Sequence, residues 1–253
     1  MRITGSKLFL AEFLGTFFLL FISLGAIMLS LDPGTLFSGQ GSAVQMSAFS
    51  PLSQALIFGL VLMAVSYTMG HISGAHCNPA VSLGLMLAGH LRVVYFPVYL
   101  VAQCCGAMVA VLAVRFLFQG NETFVMAELS GIGNTFDQGG QTHGFTPEAC
   151  ALVEGVGVCL LTYLYIATQK AHFPKNLGGL AKGLGLAAAL LLAVPLTNGG
   201  LNPARSAAAA LLVGGDAFKQ LWFFVTVPII GAVVGVIFDH MMWVDDAGSR
   251  AMR

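Results

Sequence analysis

The amino-acid sequence predicts an all-α membrane protein: six transmembrane helices plus two re-entrant half-helices, arranged as an inverted repeat. Three observations lead to this fold class. The composition is that of a membrane protein, six apolar stretches reach the length of a bilayer, and two matching Asn-Pro motifs each open a shorter apolar segment. We expect one transmembrane domain over residues 1–253, with repeats at approximately 8–118 and 147–243.

The composition excludes several classes of protein. Of the 253 residues, 57% are hydrophobic and 9% are charged, and the mean hydropathy is +0.85. A soluble domain has about 25% charged residues, so this chain requires membrane lipid around it. Eleven basic and eleven acidic residues leave no net charge, which gives no sign of a nucleic-acid partner. The five cysteines form no Cys-x-x-Cys pair, so we expect neither a metal site nor a disulfide framework.

Six apolar stretches are long enough to span a membrane. They lie at roughly 8–31, 52–71, 93–118, 147–168, 180–197 and 219–243. A bilayer core is about 30 Å thick and needs about 20 helical residues to cross it. Because the backbone must satisfy its own hydrogen bonds there, we expect each stretch to be a helix. The first is too long for the apolar region of a signal peptide, so we interpret it as a span.

Two further apolar segments, 79–89 and 203–213, are too short to cross the bilayer as helices. An Asn-Pro pair opens each of them, at Asn78 and at Asn202. Proline suits the first turn of a helix, where its missing N–H costs nothing, and asparagine is a favoured cap just before it. Each segment is therefore predicted to be a short helix that begins at the asparagine.

The basic residues predict the orientation in the membrane. With a cytoplasmic N-terminus, eight Lys and Arg residues fall on the cytoplasmic side and three elsewhere, and loops 32–51 and 119–146 contain none. The eight are Arg2, Lys7, Arg92, Lys170, Lys175, Lys182, Arg250 and Arg253. The positive-inside rule then places both termini in the cytoplasm, and we expect the plasma membrane as the location.

The two halves of the chain repeat one another. Asn202-Pro203-Ala204 lies 124 residues after Asn78-Pro79-Ala80. Gly183-Leu184 lies the same distance after Gly59-Leu60. Each half holds three spans, an odd number, so the second half must be inverted relative to the first. Inverted repeats with broken helices place a shared site near the bilayer midplane.

The motif loops carry a family resemblance. The twin signature loops of the aquaporin (major intrinsic protein) family are similar to two segments here: Ser73-Gly74-Ala75-His76-Cys77-Asn78-Pro79-Ala80-Val81-Ser82 and Gly200-Leu201-Asn202-Pro203-Ala204-Arg205-Ser206. The resemblance covers residues 8–243 and implies the inverted-repeat aquaporin fold, a right-handed bundle in which the two half-helices meet end to end. It also implies a homotetramer with one pore per subunit and no cofactor.

The resemblance implies a passive channel that conducts water and excludes ions and protons. Its central motifs would be Asn78, Pro79, Ala80, Asn202, Pro203 and Ala204. Both short helices would point the positive ends of their dipoles at the pore centre. The asparagine amides would donate hydrogen bonds to a passing water oxygen. Cations and protons would then meet an electrostatic barrier that neutral molecules do not.

Four more positions correspond to the family's narrow selectivity filter: Phe58, Leu190, Gly199 and Arg205. Phe58 and Arg205 are what water channels of the family usually carry. Leu190 departs from the pattern, because water channels typically have histidine there and glycerol facilitators glycine. Gly199 differs from the aromatic residue common in glycerol channels.

Other features favour water as the main permeant. Ser206 follows the second motif, where glycerol facilitators usually carry aspartate, and the loops lack the insertion common in glycerol channels. Glycerol, hydrogen peroxide and ammonia are the alternatives, either alone or beside water.

Three ionisable residues have two interpretations each. Glu12 and Glu154 occupy matching Glu-x-x-Gly segments deep in their spans. A buried carboxylate needs hydrogen-bond partners, and in the family such glutamates brace the motif loops; the rival interpretation is a proton relay. The resemblance places His76 near the cytoplasmic mouth of the pore, where it either has a structural or pore-lining role or permits gating by pH.

Two other functional classes use similar architecture. A secondary transporter would need a site for a coupling ion, and the spans hold few candidates besides Glu12, Glu154 and Arg205. A junctional protein would use loops 32–51 or 119–146 for adhesion, although their composition resembles plain solvated connections. No arrangement typical of an enzyme is found. Asn121-Glu122-Thr123 matches the glycosylation pattern in a predicted outer loop.

Overall fold

The computed structural model describes residues 4–31, 51–119, 129–136 and 145–243. Helices are the regular secondary structure throughout these ranges. Asn121, the terminal arginines Arg2, Arg250 and Arg253, and most of the loops 32–51 and 119–146 lie outside the described residues.

Six long helices cross the molecule, and all six are long and apolar enough to span a membrane. They are α1 (Gly5–Leu31), α2 (Pro51–Ser73), α4 (Phe96–Leu117), α5 (Pro147–Ala167), α6 (Gly178–Thr197) and α9 (Leu221–Trp243). Two short helices, α3 (Pro79–Leu87) and α7 (Pro203–Val213), follow the Asn-Pro motifs. The prediction of an all-α protein with six spans and two short helices is therefore confirmed.

The boundaries differ in two places. α2 continues to Ser73, two residues past the predicted end. The last predicted stretch, 219–243, is divided: a separate helix α8 (Gly215–Lys219) precedes α9. Single turns of 3₁₀-helix lie at Val93–Tyr95, Leu129–Ile132 and Lys175–Leu177.

The short helices begin where the cap chemistry predicts. The Asn78 side chain accepts a hydrogen bond from Ala80 N at 2.9 Å, and that of Asn202 accepts one from Ala204 N at 3.0 Å. Proline at the next position removes a backbone donor that would have no partner there. With 9 and 11 residues, α3 and α7 are about 14 and 17 Å long, roughly half the thickness of a bilayer core.

Helix packing follows the same scheme in both halves of the chain. α1 packs against α2 and α4, and α5 packs against α6 and α9. α2 and α6 pack against each other and join the halves. Each short helix packs on the last long helix of the other half, α3 on α9 and α7 on α4. The short helix of each half of the chain is therefore partly buried by a long helix of the other half.

Glycines allow the closest approaches between helices. A Cβ atom added to Gly59 of α2 would lie 2.6 Å from the carbonyl oxygen of Gly183 in α6. The reciprocal Cβ on Gly183 would lie 2.5 Å from the Gly59 oxygen. At the α5–α9 contact, a Cβ on Gly231 would lie 2.3 Å from the Gly155 oxygen. Backbone contacts this close require residues without side chains.

The outer surface of the bundle is apolar. Large side chains such as Leu60, Phe116, Leu152 and Ile230 are more than half exposed there. Such a surface is costly in water and suits lipid. Together with the six apolar helices, it makes this a multi-pass membrane protein.

Candidate functional site

The loops that lead into α3 and α7 have the same unusual backbone shape. In each loop three residues have positive φ, at positions 124 residues apart. The pairs are Gly74 and Asn198, Ala75 and Gly199, and Cys77 and Leu201. A side chain is disfavoured in this region of backbone space, so the surrounding structure must hold Ala75, Cys77 and Leu201 in place.

Glu12 of α1 holds the first loop. Its carboxylate is fully buried and accepts four hydrogen bonds. Oε1 accepts from Ser73 Oγ at 2.6 Å and His76 N at 2.9 Å. Oε2 accepts from Cys77 N at 2.8 Å and Gln103 Nε2 at 2.7 Å. The carboxylate therefore satisfies two consecutive backbone N–H groups that the turn leaves without helical partners.

Glu154 of α5 holds the second loop by the same geometry. Its fully buried carboxylate accepts from Thr197 Oγ1 at 2.5 Å, Gly200 N at 2.8 Å and Leu201 N at 2.5 Å. These donors lie 124 residues after Ser73, His76 and Cys77. Each glutamate thus fixes one motif loop through a hydroxyl and two backbone N–H groups.

The two asparagines meet at the centre of the molecule. Asn78 Nδ2 donates to Leu201 O at 2.8 Å, and Asn202 Nδ2 donates to Cys77 O at 2.7 Å. Each loop is therefore bonded to the other, and the N-termini of α3 and α7 face one another. Pro79, Ala80, Pro203 and Ala204, the remaining motif residues, form the buried first turns of these helices.

A cavity passes this meeting point. Its lining includes all four positions assigned to a filter and both central asparagines. The residues are Phe58, Leu190, Gly199, Arg205, Asn78 and Asn202, together with His76. Glu12 and Glu154 lie behind the cavity wall, in contact with the loops.

Arg205 and Leu190 define one end of the cavity, which we call the Arg205 end. Arg205 is almost fully buried; its Nη2 donates to Asn198 O at 3.0 Å, and its Nη1 donates to Asn134 Oδ1. Leu190 lies against Gly199, where an added Cβ would be 2.5 Å from Leu190 Cδ2. The leucine therefore occupies the space that the glycine leaves open.

Asn134 is a site residue that the sequence did not reveal. Its Nδ2 donates to Thr197 O at 2.9 Å and Asn198 O at 3.1 Å, and its Oδ1 accepts from Ser206 Oγ at 2.9 Å as well as from Arg205. The interpretation of loop 119–146 as a plain connection is wrong for residues 129–136, because this segment fixes the arginine. No spacing or motif in the sequence marks Asn134.

His76 defines the opposite end, which we call the His76 end. Its ring lies 4.8 Å from the Tyr99 ring and 5.9 Å from the Tyr165 ring, between centroids, and Nδ1 is 3.1 Å from Ser82 Oγ. His76 is buried and lines the cavity.

Three side chains from three helices bind consecutive carbonyls at the His76 end. Tyr99 Oη donates to Ser73 O at 2.6 Å, Lys182 Nζ to Gly74 O at 2.9 Å, and Tyr165 Oη to Ala75 O at 2.7 Å. No motif marks Tyr99 or Tyr165 in the sequence, and Lys182 was counted there only among the cytoplasmic basic residues. Lys182 carried a usable signal, because it directly precedes Gly183 of the 124-residue repeat.

A metal centre does not form among the residues that the structure describes: they contain no group of three or more His, Cys, Asp or Glu side chains placed to hold an ion. The cavity lining combines the polar side chains of His76, Asn78, Asn202 and Arg205 with apolar walls.

Comparisons with known proteins agree with this architecture. The family model described as major intrinsic protein matches residues 2–238. Aquaporin Z of Rhodopseudomonas palustris is 32% identical over 246 residues, 95% of each chain. Aquaporin Z of Bradyrhizobium diazoefficiens is 34% identical over 248 residues, 96% of this chain and 95% of the relative.

A solved structure has the same fold. The aquaglyceroporin of Plasmodium falciparum superposes with a TM-score of 0.73 at 24% identity, over 93% of this chain and 95% of the other. The family match, the two relatives and the paired half-helices around a central cavity lead to one conclusion. This chain belongs to the major intrinsic protein (aquaporin) family and is a passive membrane channel for water or small solutes, not an enzyme.

Proposed function

We propose that the protein conducts water through the cavity by passive diffusion and excludes protons and ions. The observation that carries this proposal is the lining of the cavity, which combines Asn78 and Asn202 at the centre with Arg205 at one end. The relatives' name, aquaporin Z, supports a water channel.

The central asparagines supply donors to the permeating molecule. Each Nδ2 carries two hydrogens and donates one of them to a carbonyl of the opposite loop. The second hydrogen is left for a water oxygen. Because the N-termini of α3 and α7 face one another, the positive ends of both helix dipoles lie at the same point and repel cations there.

The Arg205 end selects by size. Phe58 and Leu190 form apolar walls opposite a charged arginine, and Leu190 closes the space beside Gly199. We propose that Phe58, Leu190, Gly199 and Arg205 together form the selectivity filter. A second candidate function, transport of glycerol or other small neutral solutes, is favoured by Leu190 itself, because an apolar wall suits a carbon skeleton better than a histidine would.

Substitutions of Leu190 separate the two candidates. We expect fast water flux and slow glycerol flux in proteoliposomes with the natural protein, and little change in either with Leu190→His. Removing the side chain with Leu190→Gly should raise glycerol permeability by about tenfold or more, because it opens the space beside Gly199 that the leucine fills. Stopped-flow light scattering measures both fluxes.

Leu190→Met is the matched control, since it keeps an apolar side chain of similar volume. Substantial glycerol flux in the natural protein that histidine abolishes would contradict the water assignment. It would make the protein a facilitator of small neutral solutes.

The surrounding roles follow from the same proposal. Glu12 and Glu154 brace the motif loops, and His76 lines the pore; none of them relays protons in this account. The distribution of basic residues supports cytoplasmic termini in the plasma membrane, which turns the His76 end towards the cytoplasm. Assembly as a homotetramer is carried over from the family.

A further inference from the structure

We propose that Lys182 is a second cation-excluding charge of the channel, at the His76 end, where it complements Arg205 at the other end. This inference rests on the proposed function, because it concerns what the pore excludes. It assigns a specificity-determining role to a residue outside both signature motifs.

Lys182 is a buried charge next to the cavity wall. Only 6% of the residue is exposed, and its Nζ lies 4.3 Å from the centroid of the Tyr165 ring, which lines the cavity. Nζ donates to Gly74 O at 2.9 Å. Buried lysines are rare in membrane-spanning helices and mark functional positions.

The lysine is not neutralised by a direct ion pair. The ion pairs found among the described residues join Lys170 to Asp239 and Lys219 to Asp216. Glu12, the acid that braces the neighbouring loop, forms no ion pair with Lys182 and attracts the ammonium only at longer range. The ammonium therefore acts on the pore as a positive charge that a carbonyl dipole and an aromatic face stabilise.

The repeat relates Lys182 to the Arg205 end. Lys182 directly precedes Gly183 as Phe58 precedes Gly59, and the two glycines touch at the α2–α6 crossing. Lys182 therefore corresponds in the repeat to Phe58, a proposed filter residue, but it lies at the opposite end of the pore.

The carbonyls that the two cations bind are also counterparts. Lys182 donates to Gly74 O, and Arg205 donates to Asn198 O, which lies 124 residues later. Val81 occupies the first-half position that corresponds to Arg205. The His76 end therefore has no arginine of its own, and a lysine from α6 supplies the charge instead.

Two fixed charges at opposite ends act together on a cation. The potentials of Lys182, Arg205 and the two helix N-termini add along the pore, and little bulk water screens them. Water and other neutral solutes are not repelled. Neutralising one charge leaves the other in place, so the contribution of Lys182 is clearest when Arg205 is already neutral.

The test measures proton leak in an Arg205→Val background. Vesicles of neutral lipid contain the full-length protein and a pH-sensitive dye, with the membrane potential clamped by valinomycin and potassium. We expect Arg205→Val/Lys182→Met to leak protons at least about tenfold faster than Arg205→Val, because the remaining end charge is removed. Adding Lys182→Arg, which keeps the charge, should leave the leak at the Arg205→Val level.

Two further variants separate charge from structure. Lys182→Gln keeps a hydrogen-bond donor for Gly74 O without the charge, so its proton leak should equal that of the methionine variant. If the methionine variant does not fold, the glutamine variant replaces it in the test. Lys175→Met removes an exposed lysine just before the same helix and should leave the leak at the Arg205→Val level.

The water permeability of the same vesicles measures the amount of active channel in each preparation. An unchanged proton leak in both the methionine and the glutamine variant of Lys182 would overturn the inference. So would a glutamine variant that leaks no faster than Arg205→Val alone. An equal rise in leak with Lys175→Met would also overturn it. Absence of water flux in the natural protein would instead contradict the proposed function.

Discussion

Glu154→Gln is expected to lower the water permeability of proteoliposomes by about tenfold or more, because the second motif loop loses its brace. The glutamate accepts from Thr197 Oγ1, Gly200 N and Leu201 N with two oxygens. Glutamine has one oxygen, so its NH₂ group must face at least one of these donors. A buried donor without an acceptor costs about 1–3 kcal/mol.

This loss of stability affects the second motif loop, whose backbone is already strained. Leu201 has φ of 46°, a backbone conformation that a leucine adopts only when neighbouring groups hold it. The next residue is Asn202, whose side chain binds Cys77 O across the pore. Relaxation of the loop therefore moves a central donor away from the permeating water.

Glu148→Gln is the matched control, six residues earlier at the exposed start of the same helix. It removes an equal charge without touching the loop and should leave the water permeability unchanged. Equal permeability of the two variants, at equal amounts of reconstituted protein, would show that Glu154 does not brace the pore.

Gly59→Ala is expected to destabilise the protein, because it adds a methyl group where α2 meets α6. The new Cβ would lie 2.6 Å from Gly183 O and 2.7 Å from Ala187 Cβ, so α2 and α6 must move apart. Overpacking of this kind costs about 1–3 kcal/mol, which we expect to lower the apparent melting temperature in detergent by about 5 °C.

Gly70→Ala provides the comparison within the same helix. An added Cβ there meets no atom within 4 Å, and alanine favours helix over glycine. Its melting temperature should match or exceed that of the natural protein, as measured by dye-based thermal unfolding. A Gly59→Ala protein as stable as Gly70→Ala would mean that the α2–α6 contact is looser than described.

Much of the fold follows from the sequence alone. Apolar length and the Asn-Pro caps predicted six spans and two short helices, because backbone hydrogen bonding in lipid leaves few alternatives to a helix. Boundaries were less accurate, since α2 continues through His71 to Ser73, beyond the apolar stretch, and a turn at Gln220 separates α8 from α9.

Residues of the site could be predicted only from a repeated motif or from the family's filter positions. Asn78 and Asn202 stand out as a pair, whereas Asn134 acts through a tertiary contact between residues 71 positions apart in sequence. The carbonyl partners of Tyr99 and Tyr165 depend likewise on how three helices converge on one loop. Such contacts leave no period or spacing in the sequence.

The most direct test of the central claim is the osmotic water permeability of proteoliposomes that contain the natural protein, with every ion gradient collapsed. We expect water flux well above that of protein-free vesicles and, in a separate measurement with an imposed pH gradient, a proton leak equal to theirs. Water flux no faster than that of lipid alone, or flux that appears only when an ion gradient is imposed, would contradict a passive water channel.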